Sequence, residues 1–358
     1  MGSMWGFVLS GLLVGIMFGF VLQRGRYCVN TAFRDVIFIN DFTLLRAYAL
    51  GLIVTIIGAN LIEDMGLLGG SGALYRQAFV PWANIIGGYI FGMGIVLAGG
   101  CGSGILYRIG EGLMAAVLAV FGFFFGIVTT KSGILKPIYE ALVNENTVVT
   151  LKDGSLPTLY NFLSLGLGRW DKWVVIAVLT AVVVPFLLKG EPFKKAKKGY
   201  YWSTAGFLVG IVAIIAFWAS AYFGGNARGL SFTGPMREFF FAVTLGDSQT
   251  SQIASMPIFG VNFSWSSLYV LGVPLGAYLS ARFLKEFKLK VPPAEELLRV
   301  LLGGFVMGIG AQIGGGCNIG QGFTGVSTLA ISSWVTTIFI VLGNWTMVYF
   351  LLIRPMRD

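Results

Sequence analysis

Nine apolar runs, near residues 5–22, 43–62, 82–97, 112–130, 173–188, 201–223, 266–281, 297–313 and 334–353, dominate the chain. Crossing the hydrocarbon core takes about 20 mostly apolar residues, or somewhat fewer where helix ends are buried in protein. A lipid-exposed backbone must satisfy its own polar groups, so runs of this length predict helices. Only 11% of the 358 residues are charged, against about 25% in a soluble domain. The expected fold is an all-α polytopic membrane protein forming one integral domain, 1–358, with about nine transmembrane helices plus short re-entrant helices. The first run has no basic segment before it and no small-residue cleavage site after it, so it reads as a span rather than a cleavable signal.

The cations are spread through short loops, so the formal net charge of +9 argues for membrane orientation and against nucleic-acid binding. The strongest basic loops are Lys189, Lys194, Lys195, Lys197, Lys198 and Arg282, Lys285, Lys288, Lys290. Placing both in the cytoplasm predicts a periplasmic N-terminus and a cytoplasmic C-terminus with Arg354 and Arg357. Histidine is absent and the 3 cysteines are far apart, so no metal site, cofactor or disulfide framework is expected.

Those cysteines mark an internal repeat. Residues 87–101 (GGYIFGMGIVLAGGC) match residues 303–317 (GGFVMGIGAQIGGGC), and the pairs Gly15/Gly19, Gly88/Gly92 and Gly304/Gly308 precede Cys28, Cys101 and Cys317 at one spacing. Glycine pairs four apart suit close helix packing. A weaker copy, RGLSFTGPMRE, places Ser231 opposite Cys28. The topology opposes Cys28 to Ser231 and Cys101 to Cys317, which predicts two inverted pseudo-symmetric halves, 5–130 and 201–353. Residues 131–200 then hold a periplasmic loop, a linker span and a basic cytoplasmic loop.

Each cysteine follows a glycine-rich helix break, Gly99-Gly100-Cys101-Gly102 in one case and Gly316-Cys317-Asn318 in another. Non-helical backbone at membrane depth must be buried or line a wet cavity. Exposed N–H groups and short-helix N-termini there favour an anion. Arg24, Arg26, Arg34 and Arg108 at the inner mouth, and Arg228 and Arg237 at the outer, are candidate electrostatic funnels. Glu111, beside the second break, reads as a dipole partner of the helix that follows. A thiol is soft and a weak donor, suited to a sulfur atom in the ligand. The candidate pathway is Cys28, Cys101, Cys317, Gly100, Gly102, Gly316, Asn318 and Ser231.

In GRYCVNTAFRD, AGGCGSGILYRIGEG and GGGCNIGQGFTG the chain resembles the YeeE/YedE family of bacterial inner-membrane sulfur-compound transporters over nearly its whole length. The resemblance implies import of thiosulfate ion for cysteine synthesis, residence in the bacterial inner membrane, and Cys28, Cys101 and Cys317 as pathway residues. Weak sites in series would pass the anion inward, with neutral thiols because a thiolate would repel it. Two other readings stay open. One is transfer of sulfane sulfur to a small cytoplasmic sulfur-carrier protein, disfavoured by the lack of a histidine base. The other is a general anion channel with packing cysteines.

Overall fold

The computed structural model describes residues 4–162, 168–194, 196, 198–250 and 252–356, so Lys195, Lys197 and Arg357 lie outside the described residues. In chain order the helices are α1 (Met4–Gly25), α2 (Val29–Phe38), α3 (Thr43–Asp64), α4 (Pro81–Leu97), α5 (Gly102–Gly110), α6 (Met114–Lys131) and α7 (Lys136–Leu142). Then follow α8 (Leu159–Phe162), α9 (Arg169–Leu188), α10 (Trp202–Gly224), α11 (Thr233–Leu245), α12 (Trp265–Phe283), α13 (Ala294–Ile313) and α14 (Ile331–Val348). A hairpin of β1 (Ser255–Ile258) and β2 (Val261–Ser264) precedes α12.

Each expected apolar run falls on one long helix: α1, α3, α4, α6, α9, α10, α12, α13 or α14. Among the described residues 8 helices are long and apolar enough to cross a membrane. The exception, α12, carries the buried polar side chains of Ser266, Ser267, Tyr269 and Ser280. The protein is an all-α multi-pass membrane protein.

The helices pair by a rule that repeats. α1 runs along α12 as α10 runs along α3, and α6 packs on α13 as α14 packs on α4. Exchanging α1 with α10, α3 with α12, α4 with α13 and α6 with α14 maps this set of neighbours onto itself. α9, between the two groups, rests mainly on α3.

Glycine makes these seams close. A Cβ on Gly15 or Gly19 would strike the Tyr269 or Val273 carbonyl of α12. On Gly88 or Gly92 it would meet Thr336 or Ile340 of α14, and on Gly304 or Gly308 it would meet Ala119 or Phe123 of α6. Close packing is thus the role of all three pairs. The structure adds a fourth, Gly206/Gly210 of α10, set against Ala47 and Gly51 of α3. Fixed spacing from Ser231 does not reveal it, because the loop from Gly225 to Leu230 follows α10.

Candidate functional site

Four chain breaks share one backbone feature. Arg26, Gly99, Gly229 and Gly315 have φ of 46°, 70°, 64° and 73°, and each stands two residues before Cys28, Cys101, Ser231 or Cys317. A left-handed residue reverses the chain at a helix end. After α1 the Tyr27 N–H returns to the Leu22 carbonyl at 2.9 Å, closing such a turn. At Gly99 and Gly315 the missing Cβ removes the steric penalty of this conformation. Arg26 adopts it with a side chain.

Short helices start from the breaks. Cys28 and Cys101 are the N-cap residues of α2 and α5, with extended backbone and no side-chain cap. The first-turn N–H groups of these helices therefore have no intrahelical acceptor. α11 starts shortly after Ser231, and Cys317 leads into a π-helical stretch, Gly320–Gly325.

All three thiols are buried and unbonded. The Sγ atoms of Cys28 and Cys101 are 3.9 Å apart, and Ser103 Oγ is 3.5 Å from that of Cys101. Gly104 leaves the space between them, since a Cβ there would sit 2.8 Å from Cys28 Sγ and 3.3 Å from Cys101 Sγ. Cys317 Sγ accepts from the Gly320 N–H at 3.4 Å. Its neighbour Asn318 is buried and turns its side-chain amide to the Cys101 thiol. The Cys101 and Cys317 breaks therefore meet, and Asn318 offers a donor and an acceptor where they do.

The other candidate glycines lie against bulkier groups. A Cβ on Gly102 would reach Phe232 Cβ at 3.2 Å, one on Gly316 would reach Gln321 Cγ at 2.9 Å, and one on Gly100 would reach an Arg108 nitrogen at 3.0 Å. Ser231 points its hydroxyl at Gly320, where a Cβ would come within 2.6 Å. Its N–H donates to the Tyr269 hydroxyl at 2.8 Å, and that hydroxyl donates to the Ser231 carbonyl.

A cavity of about 260 Å³ reaches this region, with Ser231, Thr233 and Gly315 in its wall beside Gln77, Gln312, Lys131, Arg228 and Arg237. Arg228 pairs at 2.9 Å with buried Glu238, which also accepts from Ser264 and Ser266 at 2.8 and 2.9 Å. Arg237 and Lys131 have no carboxylate partner among the described residues. The cavity is thus cationic. Sequence reasoning passed over Lys131; its signal is a lone cation closing an otherwise apolar run.

The four other candidate arginines are engaged elsewhere. Arg24 stacks over Phe20 and Tyr200 at 5.6 and 5.5 Å, and Arg34 pairs with Asp35 at 2.7 Å. Arg108 donates to the Gly99 carbonyl and braces that break. Arg26 pairs with Glu286 at 3.0 Å, within a latch joining the end of α1 to two loops. The buried Gln23 amide donates to Glu111 at 3.1 Å and to Glu286 at 3.2 Å, and Lys198 pairs with Glu286 at 2.8 Å. Lys198 foremost, with Arg26 and Gln23, holds the Glu286 carboxyl below its ordinary range, whereas burial pushes that of Glu111 up. Glu111 is therefore a latch residue held by Gln23, not a dipole partner of α6.

A membrane fold interrupted by polar breaks, with a charged cavity reaching them, is the construction of a transporter rather than of an enzyme. The chain belongs to the Sulphur transport family, which matches residues 24–346. It is 36% identical over 355 residues to the thiosulfate transporter TsuA of Spirochaeta thermophila, an overlap covering 97% of this chain and 100% of that one. It is 31% identical over 369 residues to the thiosulfate transporter TsuA of Escherichia coli K12, with 99% and 97% covered. The probable transporter YedE of Escherichia coli K12 is 35% identical over 104 residues, which is 28% of this chain and 24% of that one.

Proposed function

We propose that the protein imports thiosulfate across the bacterial inner membrane, supplying sulfur for cysteine synthesis. The observation that carries this reading is a cationic cavity, containing Lys131, Arg228 and Arg237, whose wall includes the Ser231 and Gly315 segments next to the buried thiols. Near-full-length similarity to transporters named for thiosulfate supports the choice of ion.

On this reading the anion enters the cavity and loses water against the cations. It then passes Ser231 and the Cys317, Cys101 and Cys28 breaks. Thiol S–H groups suit the terminal sulfur, while the Asn318 amide and first-turn N–H groups suit the oxygens. Gly100, Gly102 and Gly316 line the path as bare backbone and let Arg108, Phe232 and Gln321 pack closely against the breaks. The two groups of helices are inverted halves, 5–130 and 201–353, with a periplasmic N-terminus and a cytoplasmic C-terminus. Arg228 and Arg237 form the outer mouth, and Arg24, Arg26, Arg34 and Arg108 surround the inner one.

The test is uptake of doubly sulfur-labelled thiosulfate into proteoliposomes by the wild type and by Cys28→Ala, Cys101→Ala and Cys317→Ala. Intact ion should accumulate in the wild type, and each substitution should slow it. Unimpaired uptake in all three variants would sink the relay. Arrival of separated sulfur atoms would favour sulfane transfer, and equal competition by sulfate would favour a general anion channel.

A further inference from the structure

The lateral surface of α3 points to a second ligand. Two apolar grooves, about 240 Å³ and 340 Å³, share Tyr48, Leu52 and Trp334 and so form one trough between α9, α3 and α14. On α3 it is lined by Leu45, Tyr48, Ala49, Leu52, Ile53 and Ile56, one face of a 3.6-residue period. From Leu45 to Ile56 this face runs about 16 Å at the helical rise, roughly half the hydrocarbon thickness of a bilayer. That is the depth of one leaflet, the reach of one acyl chain.

The end of the trough where α3 begins and α9 ends is cationic. Arg46 lies over the Phe186 ring, which lines the trough, at 5.3 Å, and its Nε is buried without a partner. Exposed Lys189 caps α9, and the adjoining Gly190 packs against the Arg46 side chain. Neither cation has a carboxylate partner among the described residues. We infer that this trough binds one anionic phospholipid, its phosphate on Arg46 and Lys189 and an acyl chain along α3. A zwitterionic headgroup would bring its own cation to the same two charges, so charge complementarity selects the anionic lipid.

The bound chain would bear on the pathway through Tyr48. This residue lines the trough, and its hydroxyl donates to the Gly322 carbonyl in the π-helical stretch after Cys317. Its ring meets that of Phe323 edge-on at 5.7 Å. Lipid behind Tyr48 braces the broken helix from outside.

Native mass spectrometry of the full chain in mild detergent tests this, with phosphatidylglycerol or phosphatidylcholine of matched acyl chains. Lipid binding is read without transport, so the outcome is independent of the proposed substrate. The wild type should retain one phosphatidylglycerol per chain in preference to phosphatidylcholine. Arg46→Gln should weaken that retention roughly fivefold, the loss of one cation at a lipid surface. Ala49→Phe, which fills the trough and leaves Arg46 in place, should abolish it. Equal retention of both lipids by the wild type, undiminished phosphatidylglycerol on Arg46→Gln, or a dimer that excludes lipid from the trough would each overturn the inference.

Discussion

The thiols of Cys28 and Cys101, 73 residues apart in sequence, meet at 3.9 Å. They contact without bonding, although one caps α2 and the other α5. A disulfide needs about 2.04 Å between the sulfurs, so a local shift of roughly 2 Å would close the gap. Diamide, which takes up two electrons and two protons as the thiols join, should link this pair and stop uptake, and dithiothreitol should restore both. Peptide mapping under non-reducing conditions reads the bond; a link found only to Cys317 would refute the pairing.

The cavity cations should act on substrate capture. Charges worth about 1 kcal/mol each in water-like surroundings change affinity roughly fivefold. Lys131→Gln and Arg237→Gln should each raise the KM for thiosulfate by about that factor at low salt, with a smaller effect at high ionic strength. Arg34→Gln, which removes a cation already paired with Asp35, should change KM much less. Initial uptake rates across a substrate and salt series decide it.

Breaking the latch should expose the pathway from the opposite mouth. The Gln23 amide donates to both Glu111 and Glu286, and hydrogen bonds to charged groups contribute about 1.5–3 kcal/mol each. Gln23→Ala should therefore raise modification of Cys28 by a membrane-impermeant thiol reagent roughly tenfold or more from that side. Labelling from the cavity side should be unchanged. Mass spectrometry of each cysteine separates the two, and equal labelling of variant and wild type would refute a closed mouth.

At the glycine seams two effects compete. Alanine gains up to about 1 kcal/mol of helix propensity over glycine, but a Cβ at Gly92 or Gly308 would collide with the Ile340 or Phe123 carbonyl. Overpacking costs about 1–3 kcal/mol, so Gly92→Ala and Gly308→Ala should lower the melting temperature. Gly70→Ala, with open space around it, should not. Thermal unfolding in one detergent compares them.

The spans were legible because lipid imposes length and apolarity on helices, and α1, α3, α4, α6, α9, α10, α12, α13 and α14 keep to the nine apolar runs. The breaks were legible for a related reason: Gly99 and Gly315 need a backbone that glycine supplies, and repetition exposed them. Arg26 carried no such mark, being a side-chain residue in the same left-handed turn. The fates of the arginines were hidden, because sequence spacing does not say that Glu286, distant in the chain, would take Arg26. Nor did it reveal that Arg237 would find Lys131 beside it in the cavity wall. The Gly206/Gly210 seam was missed for want of a constant distance to Ser231.

At those four seams main chain touches main chain with no cushion of side chains between. Sliding α4 past α14 by one turn, about 5.4 Å, would drive side-chain-bearing positions into carbonyl groups. The seams therefore predict a frame that does not slide during turnover: spin labels on α4 and α14 should report one separation with and without substrate. Motion is left to the light pieces, α2, α5, α11 and the stretch Gly320–Gly325.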